Sequence, residues 1–171
     1  KGKSGTNVNL VISRNGDLVH KMYVEHTHTG TAGTRLCANY GSALLKEVEL
    51  EIGGQRIDKH YGHWMEVWAQ LTEPNPTGLQ AVLPNGGNRA SGGTVGTLFQ
   101  MTSCMGGVDA NATTTTERMF IPLQFWFCRN YGLALPLVAL QYHQVKLMIT
   151  LKPFSECWKK DFDTFYLDKV N

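Results

Sequence analysis

The chain has 171 residues, of which 42% are hydrophobic and 18% charged, and its 16 basic side chains nearly balance 14 acidic ones. This length suits one domain with a real hydrophobic core, and the low charge together with 18 glycines argues against a disordered tail, a coiled coil or a helix bundle. A net charge of +2 is too small to indicate nucleic-acid binding by itself, and the apolar runs are too short to cross a bilayer.

The first 54 residues predict strands separated by turns. Residues 8–24 predict two strands, because apolar side chains alternate with mostly polar ones and residues 14–17 (Arg-Asn-Gly-Asp) have turn chemistry. Over residues 47–52, glutamates alternate with Val48, Leu50 and Ile52. That alternation predicts a strand with one buried and one wet face, ending at two glycines.

One helix is predicted, over about residues 59–71. Asp58 is a candidate N-cap, and the prolines after residue 73 end the helix because proline cannot continue its hydrogen bonds. Four apolar residues recur at the spacing i, i+3, i+4 and i+7 and predict the buried face; they are Trp64, Val67, Trp68 and Leu71.

Residues 72–117 form a long, nearly uncharged region rich in Gly, Thr, Asn and Ser. A segment of this kind in a compact domain is usually functional or a display element, so we predict a long exposed loop, with short strands such as residues 94–101 inside it. Asn111-Ala112-Thr113 matches the N-glycosylation sequon, which makes Asn111 a candidate glycosylation site.

Strands resume in the last third of the chain. Residues 119–127 are apolar on both faces, which indicates a strand buried on both sides, by the helix or by another subunit. Residues 145–152 alternate cleanly, and residues 163–168 predict a last short strand. Seven or eight strands, one helix and one dominant loop are typical of a β-sandwich.

The chemically reactive residues do not converge on a site in the sequence. The cysteines are scattered and predict buried free thiols in a reducing compartment; they are Cys37, Cys104, Cys128 and Cys157. His26 and His28 could share a strand face, as in cupin-like metalloenzymes, but the carboxylate expected within residues 30–36 is missing. We therefore predict no catalytic residue, no metal and no cofactor, and so a protein that is not an enzyme.

Four stretches carry a family resemblance. They are residues 14–18, residues 48–58 with the helix at 64–68, residues 121–143 and residues 165–168, and the third (beginning Ile-Pro-Leu-Gln-Phe-Trp-Phe-Cys-Arg-Asn) is the most specific. In this order they resemble the major capsid proteins of large icosahedral double-stranded DNA viruses of eukaryotes, the algal-virus and iridovirus type.

The resemblance implies an all-β fold, an eight-stranded antiparallel jelly-roll sandwich formed by residues 1–171 as a single domain. Family members build this roll twice, so the chain is expected to be the N-terminal half of a longer protein, with a second roll after Asn171. Three subunits would form a pseudo-hexameric capsomer of an icosahedral shell, with residues 72–117 among its outward-facing loops.

The resemblance also implies a location and partners. The protein would be assembled in the host cytoplasm and reside in the virion. Its expected partners are a homotrimer, neighbouring capsomers, minor capsid proteins and an internal viral membrane beneath the shell, without direct contact to nucleic acid.

The aromatic and apolar segment after residue 125 supplies candidate subunit contacts, although the same residues would also suit a core. The candidates are Trp126, Tyr131, Leu133, Leu135 and Leu137. Two other functions remain open. One is a minor capsid or penton protein with a single jelly roll; the other is a carbohydrate-binding jelly-roll module that uses Trp126 or Tyr131.

Overall fold

The computed structural model of the chain describes residues 7–29, 34–37, 39–74, 97–106, 116–153 and 156–160. The strands in these ranges are β1 (Asn7–Val11), β2 (Leu18–Val19), β3 (Tyr23–Thr29), β4 (Thr34–Leu36), β5 (Leu45–Ile52), β6 (Gln55–Tyr61), β7 (Thr116–Pro122), β8 (Leu135–Pro136), β9 (Val145–Leu151) and β10 (Trp158–Lys160). The helices are α1 (Tyr40–Leu44), α2 (Gly62–Thr72), α3 (Leu98–Ser103) and α4 (Trp126–Arg129), followed by a 3-10 turn at Tyr131–Leu133.

One layer is a four-stranded antiparallel sheet in the order β1-β9-β5-β6. Leu50 of β5 lies opposite Leu147 of β9, and both side chains are buried. The outer face of β5 presents glutamates, and the ammonium of Lys59 lies 2.8 Å from the carboxylates of both Glu47 and Glu49. The alternation predicted for residues 47–52 is therefore confirmed, with one face in the core and one face in ion pairs.

The other strands form antiparallel pairs, β3 with β7, β2 with β8 and β4 with β10. Ile121 of β7 is fully buried opposite Val24 of β3. Inward residues of β7 and of the segment after it join those of β5 and β9 in one core cluster. Strands distant in the sequence thus pair within layers that share a core, and the predicted all-β jelly-roll sandwich is confirmed.

The helix predicted at about residues 59–71 corresponds to α2, but the prediction was wrong about where the helix starts and which face is buried. β6 extends to Tyr61, and Asp58 pairs with Leu50 across the sheet instead of capping a helix. The N-cap of α2 is Tyr61, whose side chain makes no capping hydrogen bond. The predicted inward residues Val67 and Leu71 are 48% and 73% exposed.

The buried side of α2 consists of Gly62, Met65 and Ala69. A Cβ atom on Gly62 would lie 2.1 Å from the carbonyl oxygen of Ser42, so the helix approaches the α1–β5 segment more closely than any side chain would permit. Close backbone approach requires glycine at position 62, Met65 and Ala69 complete the buried side, and Val67 and Leu71 face outward.

The half-buried carboxylate of Glu66 connects α2 by hydrogen bonds to α1 and to the turn after α3. It accepts hydrogen bonds from the Asn39 amide at 2.8 Å and from the Ser42 hydroxyl at 2.9 Å. It also accepts weaker bonds from the Gln70 amide at 3.2 Å and the Gly106 N–H at 3.4 Å. One carboxylate therefore joins α1, α2 and the turn after α3.

Two other predicted strands differ from the structure. The described part of the strand predicted at residues 94–101 begins at Thr97 and is helical instead, since α3 follows a capping box in which Thr97 and Gln100 exchange hydrogen bonds of 3.2 and 2.8 Å. The strand predicted at 119–127 ends at Pro122, although its inward alternation continues to Phe127. The prediction that the chain's own helix buries its second face was wrong, since Phe120 on that face is 39% exposed. Asn111, most of the predicted loop and the strand predicted at 163–168 lie outside the described residues.

Candidate assembly surfaces

The five candidate contact residues separate into a buried and an accessible group. Leu135 and Leu137 are 5% and 2% exposed and belong to the core cluster. Their side chains face the core of the sandwich, Leu135 from β8 and Leu137 directly after it, so they present little surface for a contact. Tyr131 and Leu133 are 75% and 52% exposed, and Trp126 is half-buried with its ring edge-on to Phe127 at 5.1 Å. These three residues are referred to below as the Tyr131 patch.

Tyr131 and the turn around it are ordered by contacts within the chain, although the Tyr131 side chain is exposed. The Asn130 side-chain oxygen accepts a hydrogen bond of 2.9 Å from the N–H of Gly132, which stabilises the 3-10 turn. The ring of His20 lies 3.9 Å from the Tyr131 ring, and its Nδ1 donates to the Phe127 carbonyl at 2.9 Å. The Lys21 ammonium lies 5.7 Å from the Tyr131 ring. An aromatic side chain held in this way loses little freedom on binding.

The outer face of α2 is a second accessible apolar surface. Trp64 is 41% exposed, its ring lies 5.8 Å from that of Trp68, and the Arg129 guanidinium lies 5.0 Å from the Trp68 ring. Because of their hydrophobicity and spacing, Trp64 and Trp68 were predicted to face the core. The signal for the true orientation is the second apolar spacing on the same helix, formed by Gly62, Met65 and Ala69 at i, i+3 and i+7.

The four cysteines are free thiols, as the scattered spacing predicts. Burial raises the pKa of Cys157 to about 11 and also raises the pKa of Cys128. The Cys157 thiol donates to the Ala43 carbonyl at 3.4 Å. Because the thiolate is the nucleophilic form of cysteine, these two positions are not activated for nucleophilic chemistry at neutral pH.

A cleft of about 400 Å³ opens between the β3–β7 pair and α3. Its walls are both polar and apolar, and burial raises the pKa of Glu73, which lines it. His26 of β3 lies elsewhere, with its Nε2 at 3.1 Å from the Tyr40 hydroxyl. In the described part of the chain, His, Cys, Asp and Glu form no group of three with metal-binding geometry, and the helices there are too short to span a bilayer.

Comparison with known proteins places this architecture in a family. Residues 1–165 match the family model described as the N-terminus of the major capsid protein. The major capsid protein of Pyramimonas orientalis virus is 47% identical over 146 residues, covering 84% of this chain and 33% of the relative. That of Paramecium bursaria Chlorella virus 1 is 39% identical over 149 residues, covering 86% of this chain and 29% of the relative.

Solved structures show the same likeness. The crystal structure of PBCV-1 VP54, fitted into a cryo-EM reconstruction of the virophage Sputnik, matches with a TM-score of 0.68 and 33% identity over 95% of this chain and 34% of that one. The quasi-atomic model of the PBCV-1 virus capsid matches with a TM-score of 0.66. The chain spans about a third of the length of these relatives. With nearly all of its residues matched, it belongs to the family of the major capsid protein N-terminus.

Proposed function

We propose that the chain is the first jelly roll of a structural major capsid protein, which forms trimeric, pseudo-hexameric capsomers in the icosahedral shell of a virion. The observation that carries the proposal is the match of residues 1–165 to the major capsid protein N-terminus. Relatives three times as long as the matched region have room for a second roll. The role is mechanical, so it requires a rigid sandwich and accessible contact surfaces but no catalytic group.

The Tyr131 patch is the surface that we assign to contact with a second copy of the protein. Tyrosine and tryptophan are enriched at the energetic centres of protein interfaces. Tyr131 is 75% exposed, yet it is already ordered by the ring of His20 and the turn at Gly132. Neighbouring capsomers, minor capsid proteins and an internal membrane are the other partners that this role implies.

The experiment measures the mass in solution of the full-length protein that carries this chain. Wild type is expected to be a trimer, and the double variant Tyr131→Asp, Leu133→Asp is expected to be a monomer, because burying two carboxylates in an apolar contact is unfavourable. Tyr142→Asp is the matched control, since Tyr142 is 94% exposed and lies outside the patch.

Two results would count against these proposals separately. Wild-type protein that stays monomeric at high concentration contradicts the trimeric capsomer. If wild type and double variant are both trimeric, the result agrees with the trimeric capsomer but contradicts the assignment of the Tyr131 patch to its interface.

A further inference from the structure

A polar cleft of about 330 Å³ lies where β6 meets the N-terminus of α2. Its lining comes from β6, α2 and the segment before and within α4. We call it the β6 cleft, and its lining includes Asp58, His60, Tyr61, Trp64, Gln124 and Arg129. The Tyr131 patch does not contribute to its walls.

Two aromatic side chains in the β6 cleft are partly open to solvent. Tyr61 is 49% and Trp64 41% exposed, so each offers part of its ring to a ligand. Flat apolar faces of this kind bind other apolar surfaces by stacking, while the polar edges of Tyr and Trp remain available for hydrogen bonds.

The polar groups of the cleft keep free hydrogen-bonding capacity, although the Arg129 guanidinium also lies 5.0 Å from the Trp68 ring. Within the described residues, neither the Gln124 amide nor the Arg129 guanidinium has a hydrogen-bond or ion-pair partner, and Asp58 uses only Oδ1, which accepts from the Lys59 N–H at 2.8 Å. His60 is only 5% exposed, and neither ring nitrogen has a partner. Buried polar groups are nearly always paired, so a ligand or water that reaches this imidazole gains a hydrogen bond otherwise missing.

The charge of the cleft is close to balanced. The Lys59 ammonium also borders it but lies between Glu47 and Glu49, 2.8 Å from each. What remains is one carboxylate, Asp58, and one guanidinium, Arg129. The Asp58 carboxylate would repel a phosphate, and the Arg129 guanidinium would repel a cation. The balance of charge therefore favours a neutral ligand with many hydroxyl groups.

We propose that the β6 cleft binds a neutral saccharide, with the apolar face of one pyranose ring on Trp64 and Tyr61 and its hydroxyls on Asp58, Gln124 and Arg129. A hydroxyl both donates and accepts, so it can serve the carboxylate, the amide and the guanidinium alike. A volume of about 330 Å³ is at the lower end for ligand pockets, which limits the occupant to one or two sugar rings.

The test uses the full-length protein and methyl glycosides of glucose, galactose, mannose and N-acetylglucosamine at millimolar concentrations. Saturation-transfer NMR is expected to detect binding of at least one of them through its ring protons. Trp64→Ala should weaken that binding about tenfold through loss of the stacked ring. Asp58→Asn, which keeps the shape and the Oδ1 acceptor, should weaken it to a smaller extent.

Tyr142→Ala is the matched control, because it removes an aromatic ring that is 94% exposed and lies outside both the β6 cleft and the Tyr131 patch, so it should leave the affinity unchanged. Near-ultraviolet circular dichroism shows whether each variant is folded. The proposal is overturned if none of the four glycosides binds. It is equally overturned if Trp64→Ala and Asp58→Asn leave the affinity unchanged, or if Tyr142→Ala abolishes binding. None of these outcomes depends on whether the protein forms capsomers.

Discussion

An alanine at position 62 tests how closely α2 packs against the α1–β5 segment. The added Cβ would lie 2.1 Å from the carbonyl oxygen of Ser42 and 2.3 Å from that of Leu45, whereas real Cβ atoms essentially never approach within 3.0 Å. Both obstacles are backbone atoms, which cannot rotate away as a side chain can. The N-terminus of α2 must therefore retreat by about 1 Å.

The retreat has a cost that can be estimated. Overpacking of this kind costs about 1–3 kcal/mol, and stretching the hydrogen bonds of Glu66 to Asn39 and Ser42 adds about 1–2 kcal/mol. Alanine recovers at most about 1 kcal/mol through its higher helix propensity. We expect Gly62→Ala to lower the free energy of unfolding by about 2–4 kcal/mol.

Urea-induced unfolding, followed by tryptophan fluorescence, measures this difference. Gly16→Ala is the matched control, because a Cβ there meets no atom within 4 Å and the change should stay within about 0.5 kcal/mol. If Gly62→Ala is as stable as the Gly16→Ala control, the close approach of α2 to Ser42 does not exist and the explanation of its buried face fails.

Three further predictions concern stability. Burial lowers the pKa of His60 from 6.5 to about 4, so the unfolded chain binds more protons between these values. The free energy of unfolding should decrease as the pH falls through that window, by up to about 3 kcal/mol, and urea titrations of His60→Phe should lack this component. Glu66→Ala should lower the free energy of unfolding by about 2–3 kcal/mol. Gln70→Ala loses one exposed hydrogen bond and should lower it by about 0.5 kcal/mol or less. Equal effects would contradict the role of Glu66 in joining α2 to its neighbours. Thermal and urea unfolding of Leu137→Ala should show a loss of about 2–4 kcal/mol while Leu133→Ala stays within about 0.5 kcal/mol, and the reverse order would contradict the assignment of Leu137 to the core.

The strands of the sandwich were predictable because a strand exposes its two faces alternately. Residues 145–151 and 47–52 each bury one face, so their alternation survives in the folded chain. The same rule holds from Met119 to Phe127, where every second residue is buried even after the strand ends at Pro122. The inward face was predicted correctly there, whereas the end of the strand at Pro122 and the exposure of Phe120 on the other face were not, because the sequence does not show what covers the second face of a strand.

The candidate contact residues show where local pattern reaches its limit. Leu133 and Leu137 lie four residues apart in one apolar segment, and nothing in the sequence distinguishes the exposed one from the buried one. The 3-10 turn at Tyr131–Leu133 and the pairing of β8 with β2 decide the matter. The turn is held locally by Asn130, but the pairing depends on β2, which lies more than 100 residues earlier in the chain.

By itself, the sequence determined the all-β class, the inward face of the main strands, the free thiols and the resemblance to viral capsid proteins, because these follow from side-chain alternation, residue spacing and motif. Only the tertiary structure decided which face of α2 is buried. Two apolar spacings compete on that helix, and hydropathy favours the one with the tryptophans. The close approach of Gly62 to the Ser42 carbonyl turns the side with Gly62, Met65 and Ala69 inward, and it leaves Trp64 beside a polar cleft at the surface.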